Sequence, residues 1–161
     1  MPHEAGAAWI SPDGSQELLA ISGRLYRHVA MGLWQSRKLP RAFAVEPVQA
    51  VVQDGRGYIW IRGRQTLLVL AGFETPVEDL SASLPGAAVQ KGELCVDRTG
   101  RIWAPTNHGI AWFDGHQRGL LDVNRGLTNQ WATTVMVDNA TLMRSCQRSW
   151  LAAFASSGQI C

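Results

Sequence analysis

One seven-residue pattern, D-x-x-G-x-I-W, occurs twice in the chain and constrains its fold more than any other feature. The copies span residues 54–60 and 97–103, and their aspartates lie 43 residues apart. Asp13 lies 41 residues before the first of these aspartates, and Asp138 lies 41 residues after the second. A step of about 40 residues is typical of repeat architectures in which each unit is one small supersecondary structure. The spacing therefore predicts a repeat protein.

The residue types in the pattern indicate what each repeat is. An aspartate at the start of a turn accepts hydrogen bonds from backbone amides two residues later, and glycine supplies the positive φ that a tight hairpin often needs. The Ile-Trp runs that follow, residues 59–61 and 102–104, are apolar without alternation. Strands of that kind belong to a sheet that is covered on both faces. Stacked blades of a β-propeller meet this requirement without helices, so the predicted fold class is all-β, a partial propeller.

The pattern also predicts the core and the domain boundaries. Residues 1–138 are predicted to form about three antiparallel blades and a truncated fourth, with motif aspartates near 13, 54, 97 and 138. The structural positions of the repeat are Asp54, Gly57, Trp60, Asp97, Gly100 and Trp103. The residues expected to be most buried are Ile59, Trp60, Ile61, Ile102, Trp103 and Phe113.

Residues 139–161 depart from the repeat at the point where a glycine and Ile-Trp are due. This tail is expected to be a non-repeat segment that is not a blade strand and is irregular, weakly helical or poorly ordered. Alanine and leucine at residues 151–155 favour a short helix, although it is too short to be stable alone. An abrupt change inside a motif indicates a reading-frame change or a truncated gene. The coding DNA tests this hypothesis: one of the alternative frames after codon 138 would restore the pattern.

Composition excludes several function classes. The chain has 161 residues and a net charge of +2, with no block of lysine and arginine, so no nucleic-acid partner is expected. Its cysteines, Cys95, Cys146 and Cys161, match neither a zinc site nor a disulfide framework. No apolar run is long enough to span a membrane, and the first residues lack the features of a signal peptide. No membrane contact by this segment is expected.

The order of strand, D-x-x-G, Ile-Trp-Ile, turn and strand resembles the two-component regulator propeller repeat. Residues 126–138 begin with Gly-Leu and end in Asp138, as the start of a new unit in that family does, and Leu84-Pro85 occupies a comparable place. The chain departs from the family pattern after Ile-Trp-Ile, where it has Arg62 in one unit and Pro105 in the other. The resemblance implies the sensor propeller of a hybrid histidine kinase or a diguanylate cyclase, a periplasmic, non-catalytic domain.

The resemblance also implies where a ligand binds. The strand that ends in the motif aspartate is expected to lie innermost, so that the loops entering it share a face with the loops after Ile-Trp. Arginine, amide and aromatic groups on these loops suit a polar, carbohydrate-like ligand. The candidate ligand-binding residues are Arg62, Arg64, Asn107, His108, Asn129 and Trp131.

An enzyme is the alternative function. Similar short-motif propellers include streptogramin lyases and lactonases, which use metal-supported acid and base groups. The four histidines of this chain are scattered, and only His108 lies in a predicted channel-facing loop. We therefore predict no catalytic residue, no metal site and no cofactor, and we interpret Asp54 and Asp97 as builders of turns.

The number of repeats has a consequence for partners. Closed propellers have 4–8 blades, so about three blades with a truncated fourth leave apolar blade faces uncovered. We expect these faces to be covered by the remaining blades of a longer propeller or by self-association.

Overall fold

A computed structural model of the protein describes residues 6–41, 43, 46–89, 92–137, 142–147 and 150–155. Within these ranges the chain is all-β and forms antiparallel sheets, as predicted. The chain divides into two compact units, residues 1–81 and residues 82–161. Each unit contains two sheets, here called blades 1 and 2 in the first unit and blades 3 and 4 in the second.

The first unit contains eight strands in order along the chain. Blade 1 consists of β1 (Ala7–Ile10), β2 (Glu17–Ile21), β3 (Arg24–Ala30) and β4 (Leu33–Lys38). Blade 2 consists of β5 (Ala50–Gln53), β6 (Ile59–Arg62), β7 (Leu67–Leu70) and β8 (Val77–Asp79). A 3-10 turn at Ser81–Ser83 follows. Each strand pairs with the next, so both blades are simple meanders.

The second unit repeats this arrangement. Blade 3 consists of β9 (Cys95–Val96), β10 (Ile102–Thr106), β11 (Gly109–Phe113) and β12 (Arg118–Leu121). A 3-10 turn at Val123–Arg125 leads to blade 4, which consists of β13 (Thr134–Val137), β14 (Leu142–Gln147) and β15 (Trp150–Ala155). The aspartate predicted to begin the fourth turn, Asp138, lies outside the described residues.

The core forms where the apolar strands were predicted. Every residue of β6, β7 and β10 is buried, which requires cover on both faces of the sheet. The six predicted core residues, from Ile59 to Phe113, are all at most 7% exposed. In the first unit one apolar cluster joins Leu18 and Leu25 of blade 1 to Ile59 and Leu68 of blade 2. The blades of this unit therefore pack face to face.

The first strand of each blade adjoins the neighbouring blade of the same unit. In the first unit β5 packs against β1 and β2, and in the second unit β13 packs against β9 and β10. The strand that ends just before Asp54 is the first strand of its sheet. This strand, β5, therefore lies at the edge of blade 2 that is nearest to β1 of blade 1. An innermost strand of a propeller blade is expected to have this position.

Two features differ from the prediction. β4 was not predicted, because its sequence is largely polar; it is held by backbone pairing to β3, with a shift in register between His28 and Ala30. The expected helix at residues 151–155 is wrong, since these residues belong to β15, which pairs with β14, and β14 pairs with β13. Backbone pairing to an existing strand edge needs no repeat motif, and it overrides the helix preference of alanine and leucine.

Candidate functional site

The motif aspartates build the turns, as predicted, and they do more than the sequence indicated. Asp54 Oδ1 accepts hydrogen bonds from the backbone N of Arg56 (2.9 Å) and of Tyr58 (3.0 Å). Its second oxygen, Oδ2, accepts from Trp60 Nε1 at 3.3 Å. The carboxylate therefore joins the turn to the buried tryptophan six residues later. This contact explains why aspartate and tryptophan recur together.

Asp97 repeats this geometry, with a hydroxyl bond from Thr99 where Asp54 has a guanidinium bond from Arg56. Its Oδ1 accepts from the backbone N of Thr99 (2.8 Å), from Thr99 Oγ1 (2.6 Å) and from the backbone N of Arg101 (3.0 Å). Trp103 Nε1 donates to Oδ2 at 2.9 Å. Burial raises the pKa of Asp97, but these hydrogen bonds outweigh it and hold the pKa below its ordinary value. Asp97 is thus kept as a carboxylate that accepts hydrogen bonds, which fits a turn builder and not a general acid.

The loop after the Ile-Trp strand of blade 2 is held by an acidic side chain from the segment that enters β5. Glu46 Oε1 accepts from the backbone N of Gln65 (2.7 Å), and Glu46 Oε2 accepts from Thr66 Oγ1 (2.7 Å). A side chain on Gly63 would collide with this carboxylate, because a Cβ there would lie 2.4 Å from Glu46 Oε1. The segment that enters β5 and the loop after β6 therefore lie at the same end of the blade, as expected.

The two candidate arginines of this loop have different environments. Arg64 is exposed at the loop, where a ligand in solvent can reach it. Arg62 is the last residue of β6 and is fully buried, because both faces of blade 2 are covered. The expectation that Arg62 lies in a loop is therefore wrong, and its guanidinium is not accessible on the surface.

In blade 3 the corresponding loop has two residues. Pro105 and Thr106 belong to β10, and Gly109 begins β11, so only Asn107 and His108 remain between the strands. Thr106 closes this hairpin: its hydroxyl donates to the carbonyl of Gly109 (2.9 Å) and accepts from the backbone N of His108 (3.1 Å). The imidazole of His108 is exposed. The hairpin thus presents a histidine and an amide at its tip.

Two neighbouring segments hold this hairpin. The backbone N of Asn107 donates to the carbonyl of Ala87 at 2.9 Å, and the backbone N of Ala132 donates to the carbonyl of Thr106 at 3.0 Å. Ala87 lies in the segment that precedes β9, and Ala132 lies in the segment that enters β13. The loop after Ile-Trp-Ala therefore contacts the entry segments of blade 3 and of blade 4. This is the shared face that the repeat predicts.

The entry segment of blade 4 carries the other two candidates. Asn129 and Trp131 are exposed, and the backbone N of Trp131 donates to Asn129 Oδ1 at 3.1 Å. Trp131 is 56% exposed, which is high for an indole. Since Ala132 is bonded to Thr106, this segment and the tip of the hairpin are neighbours. The structure thus places the segment that carries Asn129 and Trp131 beside the hairpin that carries Asn107 and His108, and these four residues are here called the hairpin site.

Arg62 and Arg64 belong to the first unit, whereas all four residues of the hairpin site belong to the second unit. Sequence reasoning missed one residue of the site, Gly86. A Cβ on Gly86 would lie 2.1 Å from Asn107 Oδ1 and 2.6 Å from His108 Cδ2, so a side chain at this position would displace the side chains at the hairpin tip. The Pro85-Gly86 pair was visible as a turn signal, but its contact with residues 107 and 108 depends on the fold.

Asn107 has an unusual environment within this site. Its Oδ1 is buried, and within the described ranges it accepts no hydrogen bond. A buried carbonyl oxygen without a donor costs free energy on the order of 1–3 kcal/mol. Among the described residues, no three His, Cys, Asp or Glu side chains form a group that could hold a metal ion.

Comparison with known proteins begins with the sequence. No family model matches the chain. No curated protein matches it either. Its likeness to other proteins is therefore structural.

Solved structures share the fold of the whole chain. A catalytically inactive histidine-to-alanine variant of virginiamycin B lyase from Staphylococcus aureus, with quinupristin, superposes with a TM-score of 0.75 at 11% identity, over 100% of this chain and 56% of the lyase. The extracellular domain of a hybrid two-component system protein from B. thetaiotaomicron superposes with a TM-score of 0.69 at 15% identity, over 93% of this chain and 21% of that domain. The extracellular domain of a one-component system protein from the same organism gives 0.65 at 16% identity, over 91% of this chain and 20% of that domain.

These likenesses show the fold. Within the described residues the chain is all-β and forms part of a β-propeller, and the solved structures with this fold include extracellular domains of two-component and one-component system proteins. The chain spans about half the length of the lyase and about a fifth of these extracellular domains. Within the described ranges, no helix has the length and apolar character needed to cross a membrane.

Proposed function

We propose that the chain is a ligand-sensing segment of the β-propeller of a bacterial signal-transduction receptor, that it is non-catalytic and that it works in the periplasm. The observation that carries this proposal is the hairpin site, where an exposed imidazole, an exposed amide and an exposed indole lie on neighbouring loops at one face of the second unit. An aromatic plane with adjacent hydrogen-bonding groups suits a polar ring such as a sugar. The extracellular domains of B. thetaiotaomicron support the assignment to a receptor.

The chemistry of the motif aspartates supports a binding role. Both carboxylates are engaged by backbone amides and by an indole, so their oxygens serve the turns. The groups at the hairpin site are two amides, an indole and an imidazole. Such groups recognise a polar ligand by hydrogen bonds without a general acid.

Binding of a panel of oligosaccharides tests the proposal. Isothermal titration calorimetry on the purified chain should detect at least one saccharide, and Trp131→Ala should weaken its binding by about tenfold or more, the loss of one good contact. His108→Ala should weaken it less, because an exposed histidine contributes one hydrogen bond. His116→Ala is the matched control, since His116 is also exposed but lies in the β11–β12 turn. Binding that is unchanged in both site variants would refute the hairpin site.

The alternative is a fragment of a propeller-type lyase or lactonase, favoured by the TM-score of 0.75 to virginiamycin B lyase and by the exposed His108. A lactone-opening assay with added divalent metal separates the two functions. The sensor proposal predicts no turnover above that of the His108→Ala variant. Stoichiometric metal binding together with turnover that is lost in His108→Ala would overturn it in favour of the lyase.

A further inference from the structure

The hairpin of blade 3 has a fixed backbone. The backbone N of Asn107 donates to the carbonyl of Ala87, in the segment that precedes β9. The carbonyl of Thr106 accepts from the backbone N of Ala132, in the segment that enters β13. The backbone N of His108 is bonded to Thr106 Oγ1 at 3.1 Å. Because these bonds hold the main chain, a change of shape at the hairpin tip must come from its side chains.

The two amide side chains of the hairpin site are held to different degrees. Asn129 Oδ1 accepts from the backbone N of Trp131 at 3.1 Å, which fixes the carboxamide of Asn129. Asn107 Oδ1 is buried and accepts no hydrogen bond from the part of the chain that the structure describes. A buried acceptor without a donor is less stable than the same acceptor in water. The Asn107 side chain can therefore leave its position without the loss of a hydrogen bond to Oδ1.

Gly86 makes this position available to the Asn107 side chain. The three heavy atoms nearest to a Cβ built on Gly86 all belong to the side chains of Asn107 and His108. The φ of Gly86 lies outside the positive range, so its backbone also suits residues that have a side chain. A larger residue at position 86 is thus opposed by two side-chain tips and not by the backbone conformation.

Blade 2 contains a locked version of the same contact. Its loop glycine, Gly63, is crowded by the carboxylate of Glu46. Both oxygens of that carboxylate are bonded, one to the backbone N of Gln65 and the other to Thr66 Oγ1, each at 2.7 Å. The Glu46 carboxylate would lose both hydrogen bonds if it moved. The carbonyl oxygen that crowds Gly86 in blade 3 has no such bond among the described residues.

We infer that the side chain of Asn107 is a switch of the hairpin site, which rests against Gly86 in the ligand-free chain and turns outward when a saccharide binds. This role rests on the proposed function and names the residue that responds to the ligand. An outward carboxamide offers an acceptor oxygen and two N–H donors, which match two adjacent hydroxyl groups of a sugar ring. The exposed indole of Trp131, on the neighbouring segment, offers a flat surface to the ring.

A switch of this kind weakens binding to the ligand-free chain. When only a fraction of the molecules has the Asn107 side chain outward, the apparent Kd equals the intrinsic Kd divided by that fraction. An alanine at position 86 fills the space of the resting side chain and leaves it the outward position. Gly86→Ala should therefore tighten binding, by about tenfold where the outward fraction of the wild-type chain is about one in ten.

Calorimetric titration of the whole chain with cellobiose, maltose, lactose and xylobiose measures this effect. For a disaccharide that binds the wild-type chain, Gly86→Ala should lower the Kd by about threefold to tenfold. Asn107→Ala should raise the Kd by about tenfold, because the carboxamide is lost. Gly55→Ala is the matched control and should leave the Kd unchanged, since Gly55 also lacks a positive φ but has open space around it in the turn of blade 2.

Double variants show whether the tightening acts through Asn107. In a chain that carries Asn107→Ala, the further change Gly86→Ala should leave the Kd unchanged, because no carboxamide remains to be displaced. In a chain that carries His108→Ala, the same change should still tighten binding. A purely structural effect of the alanine would appear in both backgrounds. Tightening that survives in Asn107→Ala therefore overturns the switch and leaves the proposed function intact.

Nuclear Overhauser contacts test the resting position without a ligand and without a variant. In the ligand-free wild-type chain the side-chain protons of Asn107 should show contacts with the Hα protons of Gly86, and a bound disaccharide should remove them. Absence of these contacts in the ligand-free chain overturns the switch. Equal Kd values for the wild-type chain and Gly86→Ala also overturn it, while the proposed function stands. If neither chain binds any of the four disaccharides, the proposed function fails and the switch fails with it.

Discussion

Blades 1 and 2 share a topology and differ in burial. Every residue of β6 and β7 in blade 2 is buried, whereas the central strand β2 in blade 1 alternates between buried and half-buried residues. The outer strand β4 is exposed at five of its six positions. Antiparallel pairing is therefore sufficient to form a blade, and neighbours on its two faces decide how much apolar surface it buries.

The turns of the two blades also differ, in the residues that form hydrogen bonds with the turn aspartate. The carboxylate of Asp13 accepts hydrogen bonds from Ser11 Oγ (2.6 Å) and from the backbone N of Ser15 (3.1 Å). The residue six places later is Leu19, where blade 2 has a tryptophan that donates to the aspartate. Asp13 lies at the surface, and the hydrogen bonds to its carboxylate come from residues of the turn. In blade 2 the carboxylate of the turn also accepts a hydrogen bond from a buried tryptophan of the core.

Removal of an indole from a motif position should have the largest effect. Trp103→Ala empties a site that is 7% exposed and leaves the Asp97 carboxylate without one of its donors. We expect a loss of about 3–5 kcal/mol in the free energy of unfolding, measured by urea denaturation. Leu19→Ala, at the equivalent place in blade 1, should cost about 1 kcal/mol. Equal losses would contradict the assigned difference between the blades.

A side chain on Gly109 should be the next most damaging change. Gly109 has a φ of 129°, and a Cβ there would lie 2.1 Å from the carbonyl oxygen of Leu121 on the paired strand β12. Gly109→Ala should therefore destabilise the second unit by more than about 2 kcal/mol. Gly14→Ala is the matched comparison, because Gly14 has a φ of 71° but open space around it, and it should cost about 1 kcal/mol. Thermal unfolding of the two variants would rank them.

Replacement of the motif carboxylate should cost less than either. Asp97→Asn keeps the shape of the side chain but puts an amide donor where one oxygen accepts, so one of the bonds from Thr99, Arg101 or Trp103 is lost. We expect a loss of about 1–2 kcal/mol in the free energy of unfolding at neutral pH, measured by urea denaturation. Asp13→Asn should have a smaller effect, because the turn of blade 1 is exposed. A larger loss in Asp13→Asn would reverse the comparison.

The smallest expected effect is a dependence of stability on pH. Three serine contacts, led by the hydroxyl of Ser11, lower the pKa of Asp13 from 3.8 to about 2. The pKa of Asp97 is also lowered from 3.8. A folded-state pKa below the unfolded value means that the folded chain binds fewer protons, so this stabilisation is present above about pH 4 and is lost as the pH falls towards 2.

Urea midpoints measured between pH 6 and pH 3 check this dependence. The midpoint of the wild-type chain should fall in the acid part of the range, and Asp97→Asn should flatten that fall because the variant cannot titrate at this position. The flattening should be greater in Asp97→Asn than in Glu78→Ala, a control that removes an exposed carboxylate of β8. A wild-type midpoint that rises towards pH 3 would show that other groups dominate.

Local chemistry explains why much of the fold could be predicted. The turn residues Asp54, Gly57, Asp97 and Gly100 and the apolar runs that follow them act within seven residues, and the all-β repeat and the buried Ile-Trp strands followed from them. The shared face of the loops was implied by the resemblance to the two-component regulator propeller repeat. Part of the candidate site could be predicted in the same way, since His108 and Trp131 lie on segments whose place in the repeat was known.

Only the tertiary structure decided the features that depend on neighbours far along the chain. The burial of Arg62 follows from cover on both faces of blade 2, and the crowding at position 86 follows from its contact with Asn107 and His108. β4 and the strands at residues 142–147 and 150–155 form because an adjacent strand offers unpaired backbone groups. Any segment that adopts an extended conformation can form hydrogen bonds with these groups. Backbone pairing and burial are properties of what lies alongside a segment, whereas turns are properties of the segment itself.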